Sequence, residues 1–331
     1  MAQDLFITLI VPCRNEEEII GACLDSLLGQ DYPPEKMEII VVDGASEDRT
    51  QEIVREYSEK DARVRLLINP RKFTPISMNM GLENARGDVI AKTDAHTIYP
   101  KDYLPKTADY FTRFQADAVG GVIKTTPSDT TLPARAIALV LTSKFGAGNS
   151  EFRTGAEKPH YSDTAFGIVY RKEVFKKIGL FNEMLSRSQD IDFNLRLTRA
   201  GGKILLAPDV QLEYHPKATF EEFWEHNIKD GIWAILPMKF GSPILKLRHL
   251  MPLIFVSSFL GMGLLGIFWG RFLVLLFLCL LGYLGAAFYF ASHVAGKEKA
   301  PELVPYLVIA FIIRHFGYGL GSLLGVIKLI T

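Results

Sequence analysis

The sequence predicts an α/β fold, a mostly parallel sheet covered by helices on both faces, followed by C-terminal transmembrane helices. Two observations carry that prediction. Short apolar runs alternate with amphipathic helical segments from residue 5 to residue 123. Near the C-terminus, residues 251–269 and 272–292 contain no charged side chain, and each meets the roughly 20-residue length of a bilayer crossing.

In order, residues 5–11 form an apolar run stopped by Pro12, and Ile19, Ile20, Cys23, Leu24, Leu27 and Leu28 follow at helical spacing. The strand–helix pair recurs: a strand at 38–42 and a helix at 48–60, a strand at 64–68 and a helix at 77–85, a strand at 89–92 and a helix at 103–114, then a strand at 119–123. Such alternation implies parallel strands buried on both faces. Beyond Lys124 the pattern weakens into a loop, a mildly apolar helix at 132–141 and an irregular Gly-rich stretch, Phe145-Gly146-Ala147-Gly148-Asn149. A strand at 164–170, a helix at 190–200 stopped by Gly201-Gly202, a strand at 203–207 and an amphipathic helix at 220–232 complete the first part. The expected division is a catalytic domain, 1–235, and a membrane region, 236–331. The third apolar segment, 303–330, is interrupted by Pro305 and by Arg314-His315, so it either spans or lies at the interface. Lys239, Lys246, Arg248 and His249 precede the first span, and Lys297 and Lys299 follow the second. These basic flanks put both ends of the hairpin on the cytosolic side, giving a multi-pass inner- or plasma-membrane protein with its first domain in the cytosol.

The 37 basic and 37 acidic side chains cancel, which removes any global electrostatic case for nucleic acid, so an anion site has to be local. Cys13, Cys23 and Cys279 make no Cys-x-x-Cys pair and suit a reducing compartment. The first apolar run is too short for a secretory signal.

In parallel α/β sheets ligands bind beyond the carboxyl ends of the strands. Four polar segments occupy those ends: Pro12-Cys13-Arg14-Asn15-Glu16, Asp43-Gly44-Ala45-Ser46, Asn69-Pro70-Arg71-Lys72 and Asp94-Ala95-His96. Asp94 and His96, two residues apart, either share a divalent cation on a diphosphate or form a turn with a solvated imidazole. Asp43 either accepts a base N–H or belongs to a capping turn with Ser46 and Asp48. Arg14, Asn15 and Glu16 can reach a base or ribose, while Glu16 also suits a helix first turn. Arg71 and Lys72 fit a diphosphate or are merely solvated. Asp190, near a helix start, is either a general base or an N-cap. His215 is a further metal ligand or a loop histidine.

Read together, these segments resemble family 2 glycosyltransferases of the GT-A fold: Pro12-x-x-Asn15-Glu16, the Asp43 turn with Ser46-x-Asp48-x-Thr50, Asn79 through Ala85-Arg86-Gly87-Asp88, Asp94-x-His96 and the acidic helix start. Within that family the chain is similar to bacterial succinoglycan-type membrane glucosyltransferases, through Phe145-Gly146-Ala147-Gly148-Asn149, Phe166-Gly167 with Arg171, and Arg187-Ser188-Gln189-Asp190. The resemblance implies a nucleotide-sugar donor, UDP-linked, held by Pro12, Arg14, Asn15, Glu16, Asp43, Ser46, Arg71, Lys72, Asn79 and Asp94. It further implies Mn2+ or Mg2+ on Asp94 and His96, with His215 as a lesser candidate, and Asp190 as base of an inverting transfer. Gly167, Arg171 and Gln189 would lie toward a lipid-linked acceptor, a polyprenyl phosphate or diphosphate oligosaccharide. His96 stands where many relatives have Asp, and the Gln-x-x-Arg-Trp signature of processive synthases is absent, which favours single addition. Two alternatives remain at this point: transfer directly onto polyprenyl phosphate, and a non-catalytic membrane transport or scaffold protein.

Overall fold

The structure, a computed structural model, describes residues 4–242 and 247–330, and of 247–249 the backbone only. In chain order its elements are β1 (Ile7–Cys13), α1 (Ile20–Leu28), β2 (Met37–Asp43), α2 (Thr50–Lys60), β3 (Val64–Ile68), α3 (Thr74–Asn84), β4 (Val89–Lys92), α4 (Tyr103–Arg113), β5 (Ala118–Thr125), α5 (Leu132–Thr142), α6 (Lys144–Ala147) and α7 (Glu151–Thr154). There follow β6 (His160–Ser162), β7 (Phe166–Arg171), α8 (Lys172–Ile178), α9 (Gln189–Arg199), β8 (Ile204–Tyr214), α10 (Phe220–Ile235), α11 (Leu247–Phe268), α12 (Gly270–Lys297), α13 (Val304–Ile312) and α14 (Tyr318–Ile330). They divide into two compact units, Met1–Lys124 with Gly155–Tyr214, and Thr125–Thr154 with His215–Thr331. In this division by packing α5 and α10 fall in the second unit, because they pack against α13 and α14.

Among the described residues the first unit is built on one eight-stranded sheet, in the order β3-β2-β1-β4-β7-β5-β8-β6. β3, β2, β1 and β4 are parallel neighbours. β7 then runs antiparallel to both β4 and β5, and β6 antiparallel to β8. Crossover helices cover both faces of the parallel part, so β2 is buried at all 7 positions. α1 contributes Ile20, Cys23, Leu24 and Leu27 to this core, the periodicity visible in its sequence. The strand order reverses between β1 and β4, and the crevice at their carboxyl ends is the place where such sheets bind ligands. At the opposite, amino-terminal end, Glu38 of β2 is fully buried. It accepts from the Thr8 hydroxyl at 2.7 Å, the Arg86 amide at 2.7 Å, and the Arg86 and Arg65 guanidiniums at 2.9 and 3.0 Å.

Among the described residues the second unit holds three helical segments long and apolar enough to cross a membrane: Leu250–Phe268, Gly270–Lys297 and Pro301–Ile330. The first two form the expected hairpin, broken only at Trp269. The third is continuous through a π-helical turn, Ile313–Gly317, which contains Arg314 and His315. It is 39% buried against 11% and 6% for the others, so it is the one embraced by protein. α10 starts with a reciprocal capping box between Thr219 and Glu222. Lys246 and the side chains of Arg248 and His249, three of the basic flanks, lie outside the described residues.

Candidate active site

At the β1 and β2 carboxyl ends two loops are laced together. The Asn15 amide donates to Ser46 Oγ at 2.9 Å, Asn15 Oδ1 accepts from the Glu47 amide at 2.9 Å, and the Glu16 amide donates to Thr50 Oγ1 at 2.8 Å. Asn15 and Ala45 both take left-handed backbone conformations to make these turns, as do Lys72 and Ser188 at the other loop ends. Such conformations cost about 1–3 kcal/mol each and persist where the surroundings over-determine them. Non-glycine residues of this kind cluster at functional sites, and four of the five among the described residues lie in these loops, the fifth being Lys299.

Asp43 is fully buried there. Its carboxylate accepts from the Ser46 amide at 2.9 Å and from Gln51 Nε2 at 2.7 Å, and it also accepts from the Ser46 hydroxyl. Asp43 thus closes a local turn with Ser46, while the cap position of α2 is Arg49. Pro12 closes β1 beside it, in register with Val42. Three cations surround the loops, and each is held by an exposed carboxylate. Arg14 and Lys72 share Glu47 at 3.7 and 3.2 Å, and Arg71 pairs with Glu183 at 2.8 Å.

Beyond β4 the chain turns, with the Thr97 amide donating to the Asp94 carbonyl at 3.2 Å and the Asp94 amide to the Tyr99 hydroxyl at 2.8 Å. Ala95 points into the core, and Asp94 and His96 are left partly and largely exposed. Lys92, two residues before Asp94, places its ammonium 3.2 Å from Asp94 Oδ1. Burial works to raise the Asp94 carboxyl, but Lys92 and then His96 outweigh it and hold the group below the ordinary carboxylate range. For Lys92 burial works against the charge, and the carboxylates of Asp94 and Asp190 keep its value above the usual lysine range. Both acids therefore lie within electrostatic reach of one ammonium. His96 Nδ1 is 3.4 Å from Glu16 Oε1, and the hydrogen bond with Glu16 raises its value.

Asp190 lies on the first turn of α9 and is exposed. The cap position is Ser188, and the Asp190 carboxylate accepts from the Ile191 amide at 2.9 Å, so the N-cap alternative is set aside. Its neighbour Asp192 is instead buried in an ion pair with Arg196 at 3.0 Å. α9 is anchored by Asn194, which accepts from the Tyr170 hydroxyl at 2.8 Å. Gln189 begins the helix, half-buried.

Several expected site residues have other employment. Asn79, expected on the donor, is buried and clamps residue 181: its Oδ1 accepts from the Phe181 amide at 3.0 Å while its Nδ2 donates to the Phe181 carbonyl at 3.0 Å. Arg171, expected toward the acceptor, pairs in register with Val89 at the amino end of β4. Its guanidinium donates to the Ala116 and Phe111 carbonyls at 2.9 and 3.2 Å, at the far end of the sheet from Asp94. Gly167, by contrast, sits at the functional end with φ +55, its carbonyl accepting from the Tyr103 hydroxyl at 3.1 Å; a Cβ there would strike Leu212. His215 is exposed and belongs to the second unit. Among the described residues no three or more His, Cys, Asp or Glu side chains gather around a metal position. Asp94 and His96 could supply two ligands to a divalent ion whose others came from phosphate oxygens, each then leaving its present partner, Lys92 or Glu16.

Residues 8–179, just over half of the chain, match the profile described as Glycosyl transferase family 2. The chain belongs to this family. Over 221 residues it is 31% identical to the succinoglycan biosynthesis protein ExoA of Rhizobium meliloti, an alignment spanning 66% of each chain, just under two thirds of that relative's length. Over 233 residues it is 28% identical to a dolichyl N-acetyl-alpha-D-glucosaminyl phosphate 3-beta-D-2,3-diacetamido-2,3-dideoxy-beta-D-glucuronosyltransferase of Methanococcus voltae, covering 68% of this chain and 72% of that one. Mannosyltransferase PcManGT from Pyrobaculum calidifontis, solved in complex with GDP-Man and Mn2+, superposes with a TM-score of 0.58 at 21% identity, over 93% of this chain and 86% of that one. S. aureus TarS 1-349 in complex with UDP-GlcNAc gives 0.52 at 17% identity, over 96% and 90%. At those identities the likeness is one of fold, a GT-A fold. This family 2 glycosyltransferase is therefore an enzyme, and the non-catalytic alternative falls. The sequence reading of its site missed Lys92, Glu47, Gln51 and Glu183. Lys92 was legible: strand residues two apart share a face, so Lys92 and Asp94 had to be neighbours.

Proposed function

We propose that the enzyme transfers a single sugar from a UDP-sugar, with inversion, to a lipid-linked acceptor at the cytosolic face of a membrane, in exopolysaccharide or glycolipid biosynthesis. The observation that carries this reading is the Asp94–Lys92 pair at the carboxyl end of β4, with Asp190 in electrostatic reach of the same ammonium. One carboxylate is suited to the leaving-group side, the other to the acceptor. Asp190, exposed at its helix start, takes the proton of the acceptor hydroxyl as that hydroxyl attacks the anomeric carbon and the diphosphate departs. Direct attack inverts the centre.

Arg14, Arg71 and Lys72 exchange their exposed carboxylate partners for the diphosphate, which is inexpensive because surface ion pairs are worth about 0–1 kcal/mol. The nucleoside lies along the laced loops, where Asp43 receives a base N–H in place of one present donor and Pro12, Asn15, Glu16 and Ser46 shape the wall. Gly167 and Gln189 are assigned to the acceptor side. A divalent ion on Asp94 and His96 supplies Lewis-acid stabilisation of the leaving diphosphate. A mixed oxygen and imidazole donor set favours Mn2+ over Mg2+. The ExoA and dolichyl-phosphate transferase likenesses support a lipid-borne acceptor. The apolar helices support a membrane location, with α11 and α12 spanning as a hairpin and the catalytic unit cytosolic.

The test is to incubate membranes containing the enzyme with radiolabelled nucleotide-sugars and native lipid extract, with and without EDTA. Label entering lipid only without EDTA, and lost in Asp190→Asn, is the expected result. Near-normal turnover of Asp190→Asn would instead indicate a phosphate oxygen as acceptor, which needs no base. No transfer from any donor would overturn the proposal.

A further inference from the structure

The third apolar segment is as long as a span, yet its contacts do not follow a span's course. The hairpin provides a ruler. Phe255 of α11 and Tyr283 of α12 face each other, with ring centroids 5.2 Å apart, and each stands 14 residues from the break at Trp269. At 1.5 Å per residue that level is about 21 Å from the hairpin tip. His315 lies at this level, its Nδ1 2.9 Å from the Tyr283 hydroxyl. Phe316 packs on Phe255 and on Phe259, centroids 5.3 and 5.7 Å away. Three residues later the chain is moving away from the tip again: Gly319 is pressed against Val256 and the Pro252 carbonyl, near the start of α11.

From there α14 follows α10 in parallel, at backbone contact. A Cβ on Gly321 would meet the Ile228 carbonyl, and one on Gly325 the Ile232 carbonyl. Lys239 Nζ, just past α10, donates to the Lys328 carbonyl at 3.1 Å. The outward side of α10 carries exposed Glu221, Glu222, Glu225 and Lys229. Such charges cost about 2.5–3.5 kcal/mol apiece at the centre of a bilayer. A helix flush against α10 along its length has to stay where α10 can stay. In a hydrocarbon layer about 30 Å thick, a level about 21 Å from the far surface lies within the near leaflet.

We propose that the segment Pro301–Ile330 does not cross the bilayer but dips into the near leaflet and, joined to α10, forms a surface that rests in the headgroup layer. This rests on the hairpin reading above. The described residues then hold two spans, and Ile330 lies on the same side of the membrane as α10. Arg314, at the deepest part of the segment, is satisfied from α10 and α6, donating to Asn227 Oδ1 of α10 at 2.6 Å and to the Gly146 carbonyl of α6 at 3.3 Å.

The experiment uses the full chain in a bacterial inner membrane, fused after residue 331 to green fluorescent protein or to alkaline phosphatase. Separately, Trp269→Cys in a Cys279→Ser background is treated with a membrane-impermeant maleimide in spheroplasts. Expected are a fluorescent C-terminal fusion, phosphatase activity no higher than a cytosolic control, and labelling of Trp269→Cys from outside. An active C-terminal phosphatase with a labelled tip would overturn this inference and leave the hairpin standing. A tip labelled only after lysis would overturn the hairpin and this inference with it.

Discussion

A single ammonium organises the acidic residues at the reacting end of the sheet. Lys92 is largely enclosed, and its charge persists because Asp94 pairs with it and Asp190 faces it. Lys92→Met leaves two carboxylates without their shared counter-charge. The expected outcome is a turnover loss of about 100–1000-fold, comparable to removal of one electrostatic stabiliser, with UDP affinity by calorimetry changed far less. Asn79 presents the opposite case: a residue that a motif resemblance put on the donor, and that the fold uses as a buried amide clamp on Phe181. Asn79→Ala should lower stability by about 1–3 kcal/mol, the penalty for orphaned buried amide partners, read as a fall in melting temperature in detergent. Turnover per folded molecule should fall less than for Asp190→Asn. Motif spacing singled out Asp94, His96 and Asp190 as candidates for the chemistry, and the roles proposed for them await the tests above. It could not separate Asn79 or Arg171 from them, because a side chain's hydrogen-bond partners, here Phe181 and Ala116, come from distant parts of the chain.

Elements with strong periodicity were legible, and those defined by tertiary pairing were not. The strands from β1 to β5 and the helices from α1 to α4 appear near where alternation places them, since the central strands are apolar on both faces and α1, α2 and α4 each carry one apolar stripe. The three-residue β6 exists only through its antiparallel pairing with β8, and α8 is a short turn of helix directly after β7. Neither leaves a period to read. α3 begins earlier than its apolar spacing suggests, at Thr74 with Pro75 in its first turn. The strands β1 and β2 are tied at their amino ends by Glu38. Burial raises this carboxyl, and the Arg86 amide, the Thr8 hydroxyl and the two guanidiniums together bring it below the ordinary range. A depressed carboxylate contributes stability that is complete above its unfolded value, about 4.3, and is lost as the pH falls through the folded one. Glu38→Gln should therefore cost about 1.5–3 kcal/mol at neutral pH. Its stability should also vary less than wild type's on acidification below about pH 4.3, followed by thermal melts from pH 7 to pH 3.

At the scale of the whole molecule, composition announced a charged part and an apolar part. Packing does not follow chain order between them, because chain order is a poor guide to which surfaces meet. The apolar helix α5 is inserted between strands of the first unit in sequence, yet it packs on α13, and α10 is fitted to the glycines of α14. Equal numbers of positive and negative side chains said only that an anion site would be local. The carboxylates of Glu47 and Glu183 sharpen that statement. Arg14, Lys72 and Arg71 come already provided with counter-ions that belong to the chain itself. A ligand diphosphate then displaces tethered carboxylates rather than salt drawn from solution. Raising the ionic strength from about 0.05 M to about 0.2 M should change the UDP dissociation constant by less than about twofold. Glu47→Gln should bind UDP more tightly at the low end of that range and lose the gain steeply as salt is added. The enzyme would thus keep a nearly constant appetite for its donor across changes in surrounding ion content, a form of buffering written into two acidic side chains.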